Sequence, residues 1–138
     1  MFRRIDRWSV ILSFVLFASV AYAGKKFPLT GSSFAPAARG QAEISKDKKN
    51  GNTMVKITVE HLAPPENLSP AKNGYLVWFQ QRGGNPESQG RLRVDKNLKG
   101  SFETTTPWKS FDVWITAETD ASVTSPTGPE VLRATVQQ

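Results

Sequence analysis

The chain has 138 residues, with 18 basic and 12 acidic side chains, one histidine and no cysteine. That length supports one small domain. The missing cysteines exclude a disulfide framework, a thiolate nucleophile, a blue-copper centre and a lipid-modified cysteine anchor. A single histidine cannot build an imidazole-rich metal site.

Residues 1–23 read as a Sec-type signal peptide. Arg3, Arg4 and Arg7 form a positive leading region, and an apolar run from Val10 to Val20 follows. Ala21-Tyr22-Ala23 then supplies the small–x–small pattern that precedes a cleavage point. The run is shorter than the roughly 20 apolar residues a transmembrane helix needs, and nothing later in the chain reads as a span. An uncleaved N-terminal anchor is the rival reading. Removing residues 1–23 takes away three arginines and one aspartate, so the formal charge falls from +6 to +4. An exported chain of such mild charge is not expected to meet nucleic acid; weak attraction to anionic lipid or envelope polymer fits it better.

The remainder reads as strands. Residues 24–38, rich in proline, glycine and small residues, are expected to form an extended arm in which Lys26–Leu29 adds an edge strand. A domain then covers 39–138. Gly40–Asp47 is a short strand, and Asn50-Gly51 suits a tight hairpin turn. Thr53–Leu62 alternates Val55, Ile57 and Val59 against Lys56, Thr58 and Glu60, the pattern of a half-buried strand. Pro64-Pro65 ends it. Gly74–Gln80 is apolar on both faces and belongs at the centre. Arg91–Asp95, the threonine-rich Ser101–Thr106, Phe111–Thr119 and Val131–Gln137 complete the set. About seven short antiparallel strands at regular spacing predict an all-β, immunoglobulin-like two-sheet sandwich. Ser101–Thr106 and Val131–Gln137 are its expected edges, and Lys99, Lys109 and Arg133 beside them favour a monomer.

Four stretches carry a family resemblance: Tyr75-Leu76-Val77-Trp78-Phe79, the short strand after Gly90, Ser110–Glu118 (SFDVWITAE) and Pro126–Leu132 (PTGPEVL). Together they resemble the extracytoplasmic C-terminal domain of anti-sigma-K factors, over about residues 53–136. The resemblance implies a small β-sandwich outside the cytoplasmic membrane and suggests a sensing role. The sigma-binding helical domain and transmembrane helix of that family have no counterpart in residues 1–23, so sequestration of a sigma factor is not implied.

Candidate site residues are few. His61 ends a strand and shares parity with Val55, Ile57 and Val59, which makes it a rim or partly buried histidine; a pH switch would need a partner. Trp78 and Trp114 read as packing residues. Trp108 follows Pro107 in a loop, where a tryptophan can anchor a binding interface. With Lys109, Arg82 and Asn85 it forms the candidate binding surface, on a loop end built from Ala63–Asn73, Gln81–Gly90 and Pro107–Ser110. Glu60, Glu66, Glu103 and Glu118 supply carboxylates without an acid–base spacing, although Glu60 and Glu118 could meet across a sandwich. The serines lack a nucleophile elbow, and Gly83-Gly84 and Gly90 fit hairpins better than phosphate loops. Asp95, Asn97 and Asp120 lack the spacing of a calcium loop. No catalytic residue, metal or cofactor is expected. The sequence points to a non-enzymatic periplasmic or secreted domain that binds or associates with an envelope protein or polymer. The alternatives are an accessory or sensor domain for a membrane protein, a small envelope enzyme, and a carrier of small apolar ligands, which the bulky aromatics disfavour.

Overall fold

The computed structural model describes residues 24–138; the expected signal peptide lies outside the described residues. Eight strands follow in order: β1 (Lys25–Gly31), β2 (Arg39–Lys46), β3 (Thr53–Glu60), β4 (Gly74–Gln80), β5 (Glu87–Val94), β6 (Lys99–Thr106), β7 (Phe111–Glu118) and β8 (Glu130–Val136). They close into an antiparallel barrel in the order β1-β2-β3-β6-β5-β4-β7-β8. The β4-β5-β6 meander returns β6 beside β3, which is a Greek-key arrangement.

This corrects the expected seven-stranded immunoglobulin-like sandwich, and with it the sandwich that the anti-sigma-K resemblance implied. The supposed arm is a full strand that pairs with β2 along its length and reaches β8 through Thr30↔Arg133 and Gly31↔Leu132. The second closure joins β5 to β6 through Arg93↔Ser101 and Val94↔Gly100. Neither β6 nor β8 is therefore an edge. Both seams lie at the same end of the barrel. There the Ser32 amide donates to the Val131 carbonyl at 3.0 Å, and its hydroxyl donates to the Glu130 carbonyl at 2.5 Å.

Alternation decides which side chains face inward. Val55, Ile57, Val59, Tyr75, Val77, Phe79, Val113 and Ile115 are buried in one core that fills the barrel, as expected for eight strands. The outer wall of β1, β2, β3 and β6 is polar. The register lines up Lys26, Glu43, Lys56 and Glu103 across four strands, and Arg39, Glu60 and Lys99 across three. Opposite charges facing across strands add roughly 0.2–1 kcal/mol per pair and resist slippage.

The wall opposite is apolar on both faces at β4 and β7. Leu76, Trp78 and Trp114 project outward and are nonetheless buried, because the β7–β8 connection folds over them with Ala121 and Val123. Burying an indole of 150–250 Å² contributes roughly 4–6 kcal/mol at 25 cal/mol per Å². The strand that the sequence placed at the centre is indeed covered on both sides.

Gln89 is an extra residue in β5, since Val77 pairs with Gly90 and Trp78 with Ser88. Gly90 takes φ +138°, and a Cβ there would stand 3.1 Å from the Phe102 ring. The bulge thus needs glycine for conformation and for space. Gly90→Ala is expected to lower the unfolding free energy by about 1–3 kcal/mol; denaturation with urea checks it, and unchanged stability would refute the account.

Candidate functional site

The barrel ends are unlike. At the seam end, the β3–β4 connection turns inward: Leu62 is buried and the Tyr75 hydroxyl donates to the Ala63 carbonyl at 2.5 Å. Burial, with the nearby Glu66 charge, pushes the Tyr75 phenol well above its usual range. His61 is not on the core face that parity assigned to it. β3 stops at Glu60, His61 takes φ 58°, and its ring turns out to stand 3.4 Å from the Glu60 carboxylate. That left-handed step is what brings Leu62 into the core.

The opposite end is formed by the connections 47–52, 81–86 and 107–110 and by the C-terminal tail. The 47–52 hairpin closes on Gly51 at φ 75°, with the Asp47 carboxylate capping the Lys49 amide at 2.9 Å. In the 81–86 turn the Gly84 amide donates to Gln81, and the Gln80 side chain donates to the Gly84 carbonyl at 2.7 Å. Trp108 crosses the end. Its amide donates to Thr106 Oγ1 at 3.2 Å, and its half-buried ring lies 6.4 Å from Phe111, which is 4.7 Å from Phe79. An aromatic chain therefore runs from the rim into the core. Lys109 Nζ donates to the Gly51 carbonyl at 3.2 Å, and Gln138 Nε2 bridges Lys109 O and Thr53 Oγ1.

The same end bears a cleft of about 640 Å³, whose walls include Gln80, Arg82, Ser110, Asp112, Thr135 and Gln137; Arg82 is the one candidate surface residue that lines it. Arg82 and Asn85 are exposed on one loop, and Trp108 and Lys109 sit on the next. All four candidate residues thus share one end. The third expected component does not: Ala63–Asn73 lies at the seam end, because β4 runs the length of the barrel between that loop and Gln81.

A second constellation escaped the sequence. Glu118 is fully buried on the outer wall. Its Oε2 accepts from Thr116 Oγ1 at 2.5 Å and from the amides of Thr127 and Gly128, and its Oε1 accepts from Thr127 Oγ1 at 2.6 Å. Thr116 in turn accepts from the Trp78 indole at 2.8 Å. Gly128 is forced, since a Cβ there would collide with the Ala117 carbonyl at 1.8 Å. Burial raises the carboxyl pKa, but the hydroxyls of Thr116 and Thr127 and the amides of Gly128 and Thr127 outweigh it, and the net shift is downward. The network clasps the β7–β8 connection onto the wall. Its only advance sign was a glutamate at the end of an apolar strand, followed by the Thr127-Gly128 turn. Glu60 is on a different wall, so the two carboxylates do not form a pair.

Asp95 and Asp120 serve their own turns. Asp95 accepts from the amides of Asn97 and Lys99, and Asp120 accepts from both the amide and hydroxyl of Ser122, which lowers its pKa. Trp114 is capped by Arg133 at 4.4 Å, with Glu130 and Asp112 flanking the guanidinium at 2.9 and 3.4 Å. Among the described residues, no group of three or more His, Cys, Asp or Glu side chains could hold a metal ion. No protein-family model matches the chain, and no curated protein matches it in sequence.

The Glu118 clasp has a pH consequence. A carboxyl pKa lowered by folding stabilises the protein above the ordinary value of 4.5, and that contribution is lost as pH falls through the lower folded value. Glu118→Gln is expected to lower stability at neutral pH by about 1–3 kcal/mol and to flatten the acid limb. Urea unfolding across a pH series reads both effects; an acid limb identical to the parent's would refute the assignment.

Proposed function

We propose that the chain is a non-enzymatic exported β-barrel that binds or structurally associates with a cell-envelope component. The carrying observation is the convergence of Trp108, Lys109, Arg82 and Asn85 on one end, where Arg82 also lines an open cleft. A half-buried indole held by Phe111 presents apolar area with little side-chain entropy left to lose, the property of an anchor residue. The barrel interior is filled by side chains, so recognition falls to the surface and to the loops that the strands hold in place.

A second reading, an accessory or sensor domain for a membrane protein, as the anti-sigma-K resemblance suggests, draws on one further observation. Strand β1 opens with Lys25 at the same end as the candidate surface. Any segment that tethers the chain there would bring that surface close to a membrane partner.

Photo-cross-linking in cells tests the proposal, with the reactive residue at Asn85 or Ser110 and, as a control, at Asn67 on the seam end. Adducts with an envelope component are expected from the first two positions only. Trp108→Ala should weaken them about tenfold or more, the scale of an aromatic anchor. One dominant membrane protein would select the sensor reading, whereas many envelope proteins or polymer fragments would select structural association. Adducts confined to cytoplasmic components, or equal from all three positions, would overturn the proposal.

A further inference from the structure

β6 is laddered unevenly along its two sides. Toward β3 the pairing runs the whole strand, from Lys99↔Glu60 to Thr106↔Thr53. Toward β5 it stops at Arg93↔Ser101. Among the described strands, Phe102–Thr106 therefore pairs on its β3 side alone. In an antiparallel ladder a residue aims its N–H and C=O at the same neighbour, and successive residues alternate. The Lys99 carbonyl accepts from the Asp95 amide at 2.8 Å, so Lys99 and the β6 residues of its parity face β5. The Asn52 carbonyl accepts from the Asp47 amide at 2.7 Å, which turns that parity of β3 toward β2 and leaves Val55 and Ile57 to bond Thr104 and Phe102. Both routes agree. Glu103 and Thr105 aim two amides and two carbonyls at the open side, and both residues are exposed.

The other open stretches are guarded, and this one is not. On β1 the ladder to β8 ends at Thr30↔Arg133, and the open part holds Lys26 and Pro28. The Ser32 amide donates to the Val131 carbonyl, so Pro28, of the same parity, turns a nitrogen without a hydrogen to the open side. β5 carries the Gly90 bulge and the exposed Arg91. β8 has only Ala134–Val136 beyond its seam. Proline, charge, bulges and short length are the usual defences of an edge. β6 instead presents Thr104-Thr105-Thr106, β-branched residues suited to a ladder. Its one charge there, Glu103, lies opposite Lys56 on the outer wall, and Lys99, expected to guard the strand, sits at the seam end. The Phe102 ring against Gly90 stands between β5 and this edge.

We propose that this edge pairs with the same edge of a second copy, antiparallel and about a two-fold axis at Thr104. The register is fixed by what each edge offers. Glu103 of one protomer lies opposite Thr105 of its partner, and the reverse, so four backbone hydrogen bonds take up the open amides and carbonyls of both edges. One rung further would match Ser101, already bonded across the seam, with Pro107, which has no N–H. The ladder is therefore two rungs long and limits itself. No like charges stand opposite: Glu103 meets a threonine, and Thr104 meets its own copy, a favourable cross-strand pair. The wall β1-β2-β3-β6 becomes half of one eight-stranded sheet with an isologous contact at its centre. The envelope reading neither requires this contact nor is required by it.

Residues 24–138 contain all eight strands, both seams and the whole core, and the chain has no cysteine of its own. Their mass by sedimentation equilibrium should rise with concentration from one chain to two and stop there. Thr104→Cys should give a disulfide-linked dimer on mild oxidation, because the two copies of that position face each other as a non-hydrogen-bonded pair, about 4.5 Å apart at Cα. Glu103→Cys and Thr105→Cys should link to each other when mixed, and each far less to itself. Thr105→Pro removes an amide that the β3 ladder does not use, so circular dichroism should show a folded chain. Its self-association should weaken about tenfold or more, since two of the four bonds are gone. Thr105→Glu leaves the backbone untouched, sets like charges opposite at both rungs and should also weaken association. A single-chain mass at every concentration would overturn the proposal, as would undiminished association of the folded Thr105→Glu chain. So would linking of Ser88→Cys, exposed on β5, as fast as Thr104→Cys, or self-linking at 103 or 105 equal to that of the mixture. A photoreactive residue at position 105 that captures only a different polypeptide in cells would give the edge to a foreign strand and overturn the dimer.

Discussion

Everything in this barrel depends on two short seams. The strands fall into two four-stranded walls, and each joint between the walls is made by two residue pairs: Thr30 and Gly31 with Arg133 and Leu132, and Arg93 and Val94 with Ser101 and Gly100. A strand edge left open exposes unpaired backbone donors and acceptors that invite foreign pairing. Closing both joints at one end removes that hazard there and lets the walls part at the other. The gap on the β5–β6 side is occupied by the Phe102 ring lying against Gly90, which explains a glycine bulge in the middle of β5.

The same geometry accounts for the buried carboxylate. β4 and β7 carry large apolar side chains on their outer face, and the β7–β8 connection is long enough to cover them. A loop laid over a sheet brings unpaired amides with it, and leaving them unsatisfied when buried would cost about 1–3 kcal/mol each. Glu118 meets that requirement by accepting from Thr127 and Gly128 while holding Thr116 in place for the Trp78 indole. All of its hydrogen-bond donors in this network are neutral, and they stabilise the ionised form better than burial opposes it. The carboxylate acts as a clasp for the loop and lies on a different wall from Glu60.

With the interior packed and the β4–β7 face covered, the most varied chemistry falls to the end opposite the seams. There an indole, a cleft, several lysines and an arginine are presented together. The packing of Trp108 onto Phe111, and of Phe111 onto Phe79, ties that end rigidly to the core.

Much of this was legible in the residues. Period-two alternation marked β3 and β7, the Asn50-Gly51 turn marked the β2–β3 hairpin, and apolar character on both faces marked β4 as doubly covered, because these signals depend on neighbours a few positions apart. Trp78 and Trp114 were recognisable as packing residues for the same reason. His61 was misplaced because parity holds only while a strand continues, and one left-handed residue ended it. The barrel itself was not legible. Whether Lys25–Gly31 hangs as an arm or joins β8 depends on residues about a hundred positions away, and alternation is identical in a sandwich and a barrel. The sequence by itself determined seven of the eight strands, most of their inward faces and the net charge. Only the tertiary structure decided the closure, the Glu118 clasp and the gathering of Trp108, Lys109, Arg82 and Asn85 on one end, since each rests on contacts between segments far apart in the chain.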